Sequence, residues 1–270
     1  MLKRLLICLV FLPAQLAAQD TQTDTFLQHL RLDEMIIVMR QEGLVDNATM
    51  PEDLLGEATG ASWQDTLDEI YDLERMEDTV VAAMLQSLGG GDISEIEDFA
   101  ASPIWQEAVD LELEARVAML DTDVADAAVE AYYRHFDKNS RRLRDLQELA
   151  ETADLIEGNV VGALNSILQF NLGMMHGGFD VGYTEDELLA QIWSEEDAVR
   201  NDIAEWLYSF LLLAYDPMDR ETLNDQIAFF ETEQGQRLNQ ALFDGFNAMF
   251  DAISFDLGEA IANLMHEQVL

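Results

Sequence analysis

The sequence predicts an all-α protein: a duplicated helical module folded as a helical array or bundle, with no significant β-sheet. Three observations carry that prediction. From Phe26 onward apolar residues recur at intervals of three and four, the spacing that gathers them on one side of a helix. No stretch alternates apolar and polar residues with the β-branched content of a strand. The chain holds only 4 prolines, and Pro51, Pro103 and Pro217 stand where a helix begins or has just ended.

Taken in order, the spacing predicts helices over 25–43, 63–88, 92–101, 103–121, 123–137, 139–175, 184–215, 219–231 and 233–266. Turn signals at Gly89-Gly90-Gly91, Gly177-Gly178 and Asp216-Pro217 separate them, with the polar caps Asp92, Thr184 and Asp219 close behind. The triple glycine is a hinge, since a phosphate loop needs a closing Lys-Ser or Lys-Thr after a strand and has neither here. Asn159 to Met175 is apolar on more than one face, with Gly162 and Ala163 allowing close packing; this suits a buried central helix or a groove for a client helix. In the last helix Leu238, Leu242, Phe246, Met249, Ile253, Leu257, Ile261 and Leu264 draw one packing stripe.

The N-terminus has the layout of a secretory signal peptide: Lys3-Arg4, an apolar run from Leu5 to Leu12, and small residues ending at Ala17-Ala18. The run is shorter than the roughly 20 residues a membrane helix needs, so cleavage after Ala18 and no stable membrane insertion are expected. The chain's 1 cysteine, Cys8, lies inside this run, which leaves the exported chain without disulfides or thiolate chemistry. The expected location is the periplasm. The organisation that follows is a signal peptide over 1–18, a first helical module over 25–121, a helical connector over 122–183 and a second module over 184–268.

Acidity is the strongest compositional signal, with 54 Asp and Glu against 14 Lys and Arg and a net charge of -40. Nucleic acid is excluded as a partner because its binding depends on neutralising phosphates with cations. Anionic lipid surfaces are disfavoured on the same ground. Half of the residues are apolar, so the charge forms a solvated shell around a core and does not signal disorder. Arg134, Lys138, Arg141, Arg142 and Arg144 make a basic island inside the connector, expected to pair with surrounding carboxylates.

The chain also matches itself in one ungapped register. Trp63 falls on Trp193, Asp72 on Asp202, Phe99 on Phe229 and Gln106 on Gln236, and Ala118-Met119-Leu120-Asp121 falls on Ala248-Met249-Phe250-Asp251. Met76 with Trp206 and Val80 with Phe210 share apolar character in the same register. Chance likeness between amphipathic helices explains the apolar matches but not paired tryptophans, so two related modules are expected.

Two motifs stand out within the register: Phe99-Ala-Ala-Ser102-Pro103-Ile-Trp105-Gln106 and Phe229-Phe230-Glu-Thr232-Glu-Gln-Gly235-Gln236. Together they resemble the domain-of-unknown-function family 2059, in which a short helix ends in Phe-Tyr, turns at Ser-Pro or Thr-Pro and opens a long helix on Gly-Gln. The first copy has Trp105 where the family has glycine, and the second has Glu233 where it has the turn proline. The resemblance implies an exported bacterial helical protein with no assigned activity and no catalytic residues to carry over. Physically, Ser102 and Thr232 suit caps, Phe99 and Phe229 suit packing beneath the corner, and Gly235 suits a close helix approach.

No chemical motif survives comparison with its requirements. Asp137 to Glu148 imitates a calcium loop but puts Arg142 at the glycine position and Arg141 where an oxygen ligand belongs. Asp121, Asp123 and Asp126 read as acids favoured at a helix start. His29, His135, His176 and His266 include no pair spaced to share a helical face, and Met174-Met175-His176 reads as core methionine before it reads as a copper site. No Gly-x-Ser-x-Gly element occurs. The residues therefore name no catalytic, cofactor or metal site. The expected function is that of an exported interaction or envelope-maintenance protein, which binds a protein partner through an apolar groove between helices rimmed by polar residues. The alternatives are an acidic module for divalent cations or basic ligands and, least supported, a hydrolase.

Overall fold

The computed structural model describes residues 23–55 and 61–269, so the expected signal peptide lies outside the described residues. Every regular element among the described residues is a helix, as the spacing predicts. In chain order they are α1 (23–30), α2 (Leu32–Asp46), α3 (Met50–Leu55), α4 (Ala61–Ile70), α5 (Leu73–Leu88), α6 (Ser94–Ala100) and α7 (Pro103–Met119). There follow α8 (Thr122–Asp137), α9 (Arg141–Thr152), α10 (Leu155–His176), α11 (Glu185–Ser194), α12 (Glu196–Tyr215), α13 (Arg220–Phe230) and α14 (Glu233–Val269). No helix among the described residues is long and apolar enough to cross a membrane.

Several helices expected to run unbroken are interrupted, because an apolar pattern carries straight across a break of one or two residues. Arg31 divides α1 from α2 in the left-handed region at φ 55°, and Asp154 divides α10 from the preceding turn at φ 50°. A non-glycine residue there costs about 1–2 kcal/mol, so tertiary contacts must hold it. Arg31 is held by Glu34 at 2.6 Å and by Asp110. Asp72 divides α4 from α5 by turning extended and accepting the Arg75 N–H at 2.9 Å, which caps α5. Glu195 separates α11, opened by a capping box between Thr184 and Glu187, from α12.

Residues from both halves enter one continuous core, among them Phe26, Leu67, Met76, Val80, Leu146, Leu223, Leu238 and Ile261. A smaller cluster of Val160, Leu164, Leu188 and Ile192 fastens α11 to α10. The 37-residue α14 is the spine of the fold, with α10 against it on one side and α5 on another. Helices α10 and α14 meet backbone to backbone: a Cβ on Gly173 would strike the Phe255 carbonyl, and one on Gly258 the Phe170 carbonyl. Arg237 then fixes the end of α5 by donating to the carbonyls of Leu88 and Asp92, each at 2.9 Å.

The packing is reciprocal between the halves. Helix α5 lies on α14 and α12 lies on α7, while α6 touches α14 and α13 touches α7. Phe99 from α6 and Phe229 from α13 stack face to face at 3.5 Å between ring centroids and 7° between planes. The connector expected over 122–183 supplies α8, α9 and α10, and α10 packs into the second half along α14.

Candidate functional site

The two corner motifs are built alike. Ser102 accepts the Trp105 N–H at 3.3 Å with Pro103 in the first turn of α7, and Thr232 Oγ1 accepts the Gly235 N–H at 3.0 Å at the start of α14. Gln106 donates to the carbonyls of Ala100 and His29, both at 2.7 Å. Gln236 donates to those of Phe230 at 2.6 Å and Thr152 at 2.7 Å. Each glutamine thus ties its corner to the residue two places before a left-handed break, Arg31 or Asp154. At Gly235 the chain passes so close to Phe229 and Phe230 that a Cβ would meet their backbone. These residues hold the fold and converge on no open site.

The matched tryptophans occupy different surroundings. Trp63 is 3% exposed and donates its indole N–H to the Asn47 carbonyl at 2.9 Å, whereas Trp193 is 49% exposed. Nor is the basic island held mainly by carboxylates. Arg134 pairs with Glu130 at 3.5 Å, but Arg142 donates to the Tyr215 and Met218 carbonyls and Arg144 to Asn139. Arg142 thereby closes the C-terminal end of α12, where unsatisfied carbonyls gather.

The site that the structure does bring together is a cavity of about 630 Å³ between α2, α7, α10, α12 and α14. Its walls are largely apolar: Met35 and Met39 from α2, Leu155 and Ala163 from α10, Ile203, Trp206 and Phe210 from α12, and Leu242, Phe243, Phe246 and Phe250 from α14. Asn159, Ser166, Asn239, Asn247 and Asp202 supply polar groups, and α7 contributes Glu112 and Arg116. A few polar groups in a mainly apolar hollow of this volume is the usual make-up of a ligand site.

The charged pair on α7 is unequally satisfied. Arg116 donates to both carboxylate oxygens of Glu42, at 2.8 and 3.1 Å, and lies over the rings of Trp206 and Phe210 at 5.6 and 5.5 Å. Those rings are stacked parallel at 5.5 Å, so one guanidinium covers both. Burial pushes the Glu42 carboxyl up despite the Arg116 charge beside it. Glu112 sits deep yet keeps some surface open to the cavity. It receives the Tyr215 hydroxyl at Oε1, and among the described residues Oε2 has no hydrogen-bond partner. Burial raises the Glu112 carboxyl above its ordinary range, against the pull of Tyr215 and Arg116. Burial and the neighbouring Glu112 charge hold the Tyr215 phenol well above its own.

A second, polar cleft of about 480 Å³ opens beside α10 and α14, lined by Asp154, Glu157, Asp244 and Asp251 among others. Asp251 Oδ1 is buried without a hydrogen-bond partner, and burial raises its carboxyl. Among the described residues no group of three or more His, Cys, Asp or Glu side chains is placed to hold a metal ion.

Glu112, Arg116, Trp206 and Phe210 were not distinguishable as site residues in the sequence. In a chain with 54 acids no single carboxylate stands out, and the partners of Glu112 and Arg116 lie far away along the chain. One signal was present. The register that matches Met76 with Trp206 and Val80 with Phe210 puts larger side chains in the second half. Compared with known proteins, the chain matches no family model, no curated protein and no solved structure.

Proposed function

We propose that this is a non-enzymatic binding protein, exported to the periplasm, that holds an apolar portion of its partner in the cavity between α7, α10, α12 and α14. The carrying observation is the cavity itself: about 630 Å³ of hollow with five aromatic side chains in its wall. Apolar wall left facing water is unfavourable, and an apolar group bound against it removes that surface from water. The N-terminal sequence supports export, and the two corner motifs support kinship with family 2059.

Duplication belongs to the same reading. The stacked Phe99 and Phe229, the like bonding of Gln106 and Gln236 and the exchange of α5 and α12 between halves support two copies facing each other across an approximate two-fold axis. Between the halves, Gly245 lets α14 close against Val80 of α5. Ala115 and Phe210 stand at the matching positions of α7 and α12, and Phe210 lines the cavity.

A neutral solvatochromic dye such as Nile red tests the reading. The protein should bind it saturably with a blue-shifted emission, and Ala163→Trp, which fills the hollow from α10, should abolish binding while leaving helical circular dichroism intact. Equal binding by both proteins would place the dye elsewhere and remove the support for this site. A second reading, a site for basic ligands, is favoured by the polar cleft with its unpartnered Asp251 oxygen. A melting shift with spermidine beyond that of matched sodium chloride would mark it.

A further inference from the structure

We propose that the cavity receives an amphiphilic organic cation, an ammonium head on an aliphatic or aromatic body, with Glu112 taking the head. The inference rests on the cavity being the binding site and adds the chemistry of what enters it. The charges that face the hollow decide the sign of the head. Arg116 is committed, with both Glu42 oxygens on its edge and two aromatic rings on its face. Glu112 is not: among the described residues its only hydrogen bond comes from the neutral Tyr215 hydroxyl, and Oε2 is left open. Asp202, exposed in the cavity lining, adds a second carboxylate with no ion pair among the described residues.

An anionic head would come to rest near Asp202 and beside Glu112, which has only a share of the Arg116 charge already bonded to Glu42, inside a molecule of net charge -40. Among the described residues it would find no free cation there, since Arg116 is bonded to Glu42. A neutral head gains a hydrogen bond but leaves the carboxylate charge unbalanced in low dielectric, where an unpaired charge is most costly. An ammonium removes that imbalance and donates to the open oxygen. The rings of Phe243, Phe246 and Phe250 suit the body of such a ligand and attract its positive end on the way in.

The test is displacement of Nile red from the purified protein at about 0.15 M salt, which suppresses attraction to the acidic surface. Dodecylammonium, dodecanol and dodecanoate, each below its aggregation concentration, share one tail and differ in the head. Dodecylammonium should displace the dye at about one tenth of the dodecanol concentration, the worth of one charge-assisted hydrogen bond, and dodecanoate should be weakest. Glu112→Gln keeps an acceptor for Tyr215 and should erase the advantage of ammonium over alcohol. Glu114→Gln, an exposed acid on the same helix, should preserve it. Three equal displacement curves, or equal losses in both variants, would overturn the cation assignment while leaving the binding site standing. Failure of the dye to bind at all would overturn both.

Discussion

Trp63 and Trp193 show how far a residue type determines its own role. The sequence pairs them in one register, yet Trp63 lies in the core with its indole N–H on the Asn47 carbonyl, and Trp193 stands half in solvent. Trp63→Ala should therefore cost about 3–5 kcal/mol of stability through lost burial and the cavity left behind. Trp193→Ala should cost clearly less, about 1–2 kcal/mol, because only half of its surface is buried. Urea unfolding of the two variants measures both values, and similar losses would contradict the difference in burial. At this scale the corner was legible in advance. Ser102 and Thr232 were readable as caps because a cap bonds to a backbone N–H three residues along, a contact that sequence spacing encodes. Glu112 was not, because its environment is made by Tyr215 and Arg116 on faces that only tertiary packing brings together.

Helices were legible as a class but not in their joints. A pattern with a period of three to four residues survives a break as small as that at Arg31 or Asp154, so the joint leaves no trace in the apolar spacing. What locks the joints is distant: Gln106 reaches back to His29, and Gln236 to Thr152. The contact between α10 and α14 depends on glycine in a different way, since Gly173 and Gly258 let the two backbones touch. Gly173→Ala should destabilise by about 1–3 kcal/mol, because its methyl would collide with the Phe255 carbonyl and drive the helices apart. Helix propensity works in the opposite direction, favouring alanine by up to about 1 kcal/mol, so a net loss isolates the packing effect. Gly90→Ala is the control: a Cβ there meets nothing within 4 Å, and the midpoint of thermal unfolding should be close to that of the parent. A neutral Gly173→Ala would mean that the crossing is looser than the geometry implies.

For the whole molecule, the net charge predicts how stability responds to salt and pH. The chain carries a net charge of -40, and its arginines are largely taken up by individual carboxylates and backbone carbonyls, so the 54 acids far outnumber the cations that could pair with them. Screening that repulsion favours the compact state, and the melting temperature should rise between about 0.01 and 0.5 M sodium chloride. The pH dependence has two opposing parts. Burial raises the carboxyls of Glu42, Asp46, Glu112 and Asp251 above their ordinary values, so the folded protein holds these protons more tightly than the unfolded chain. Between the ordinary carboxylate range near pH 4 and the raised values, stability therefore falls as pH rises and is recovered on acidification. Asp145 and Glu34 behave in the opposite sense. Arg220 and Arg31 hydrogen bonds hold them below the ordinary range, and the backbone N–H groups at helix starts do the same for Asp92, Glu187 and Asp219. Their contribution is complete above the unfolded value and is lost as pH falls through the folded one. Stability should consequently peak on the acid side of neutrality and drop steeply below about pH 4, with high salt flattening the alkaline limb more than the acid one. Thermal melts from about pH 3 to 9 at two ionic strengths would show the peak; a maximum at or above neutral pH, or a midpoint that falls with salt, would mean that a few specific ion pairs and not general repulsion set the stability of this fold.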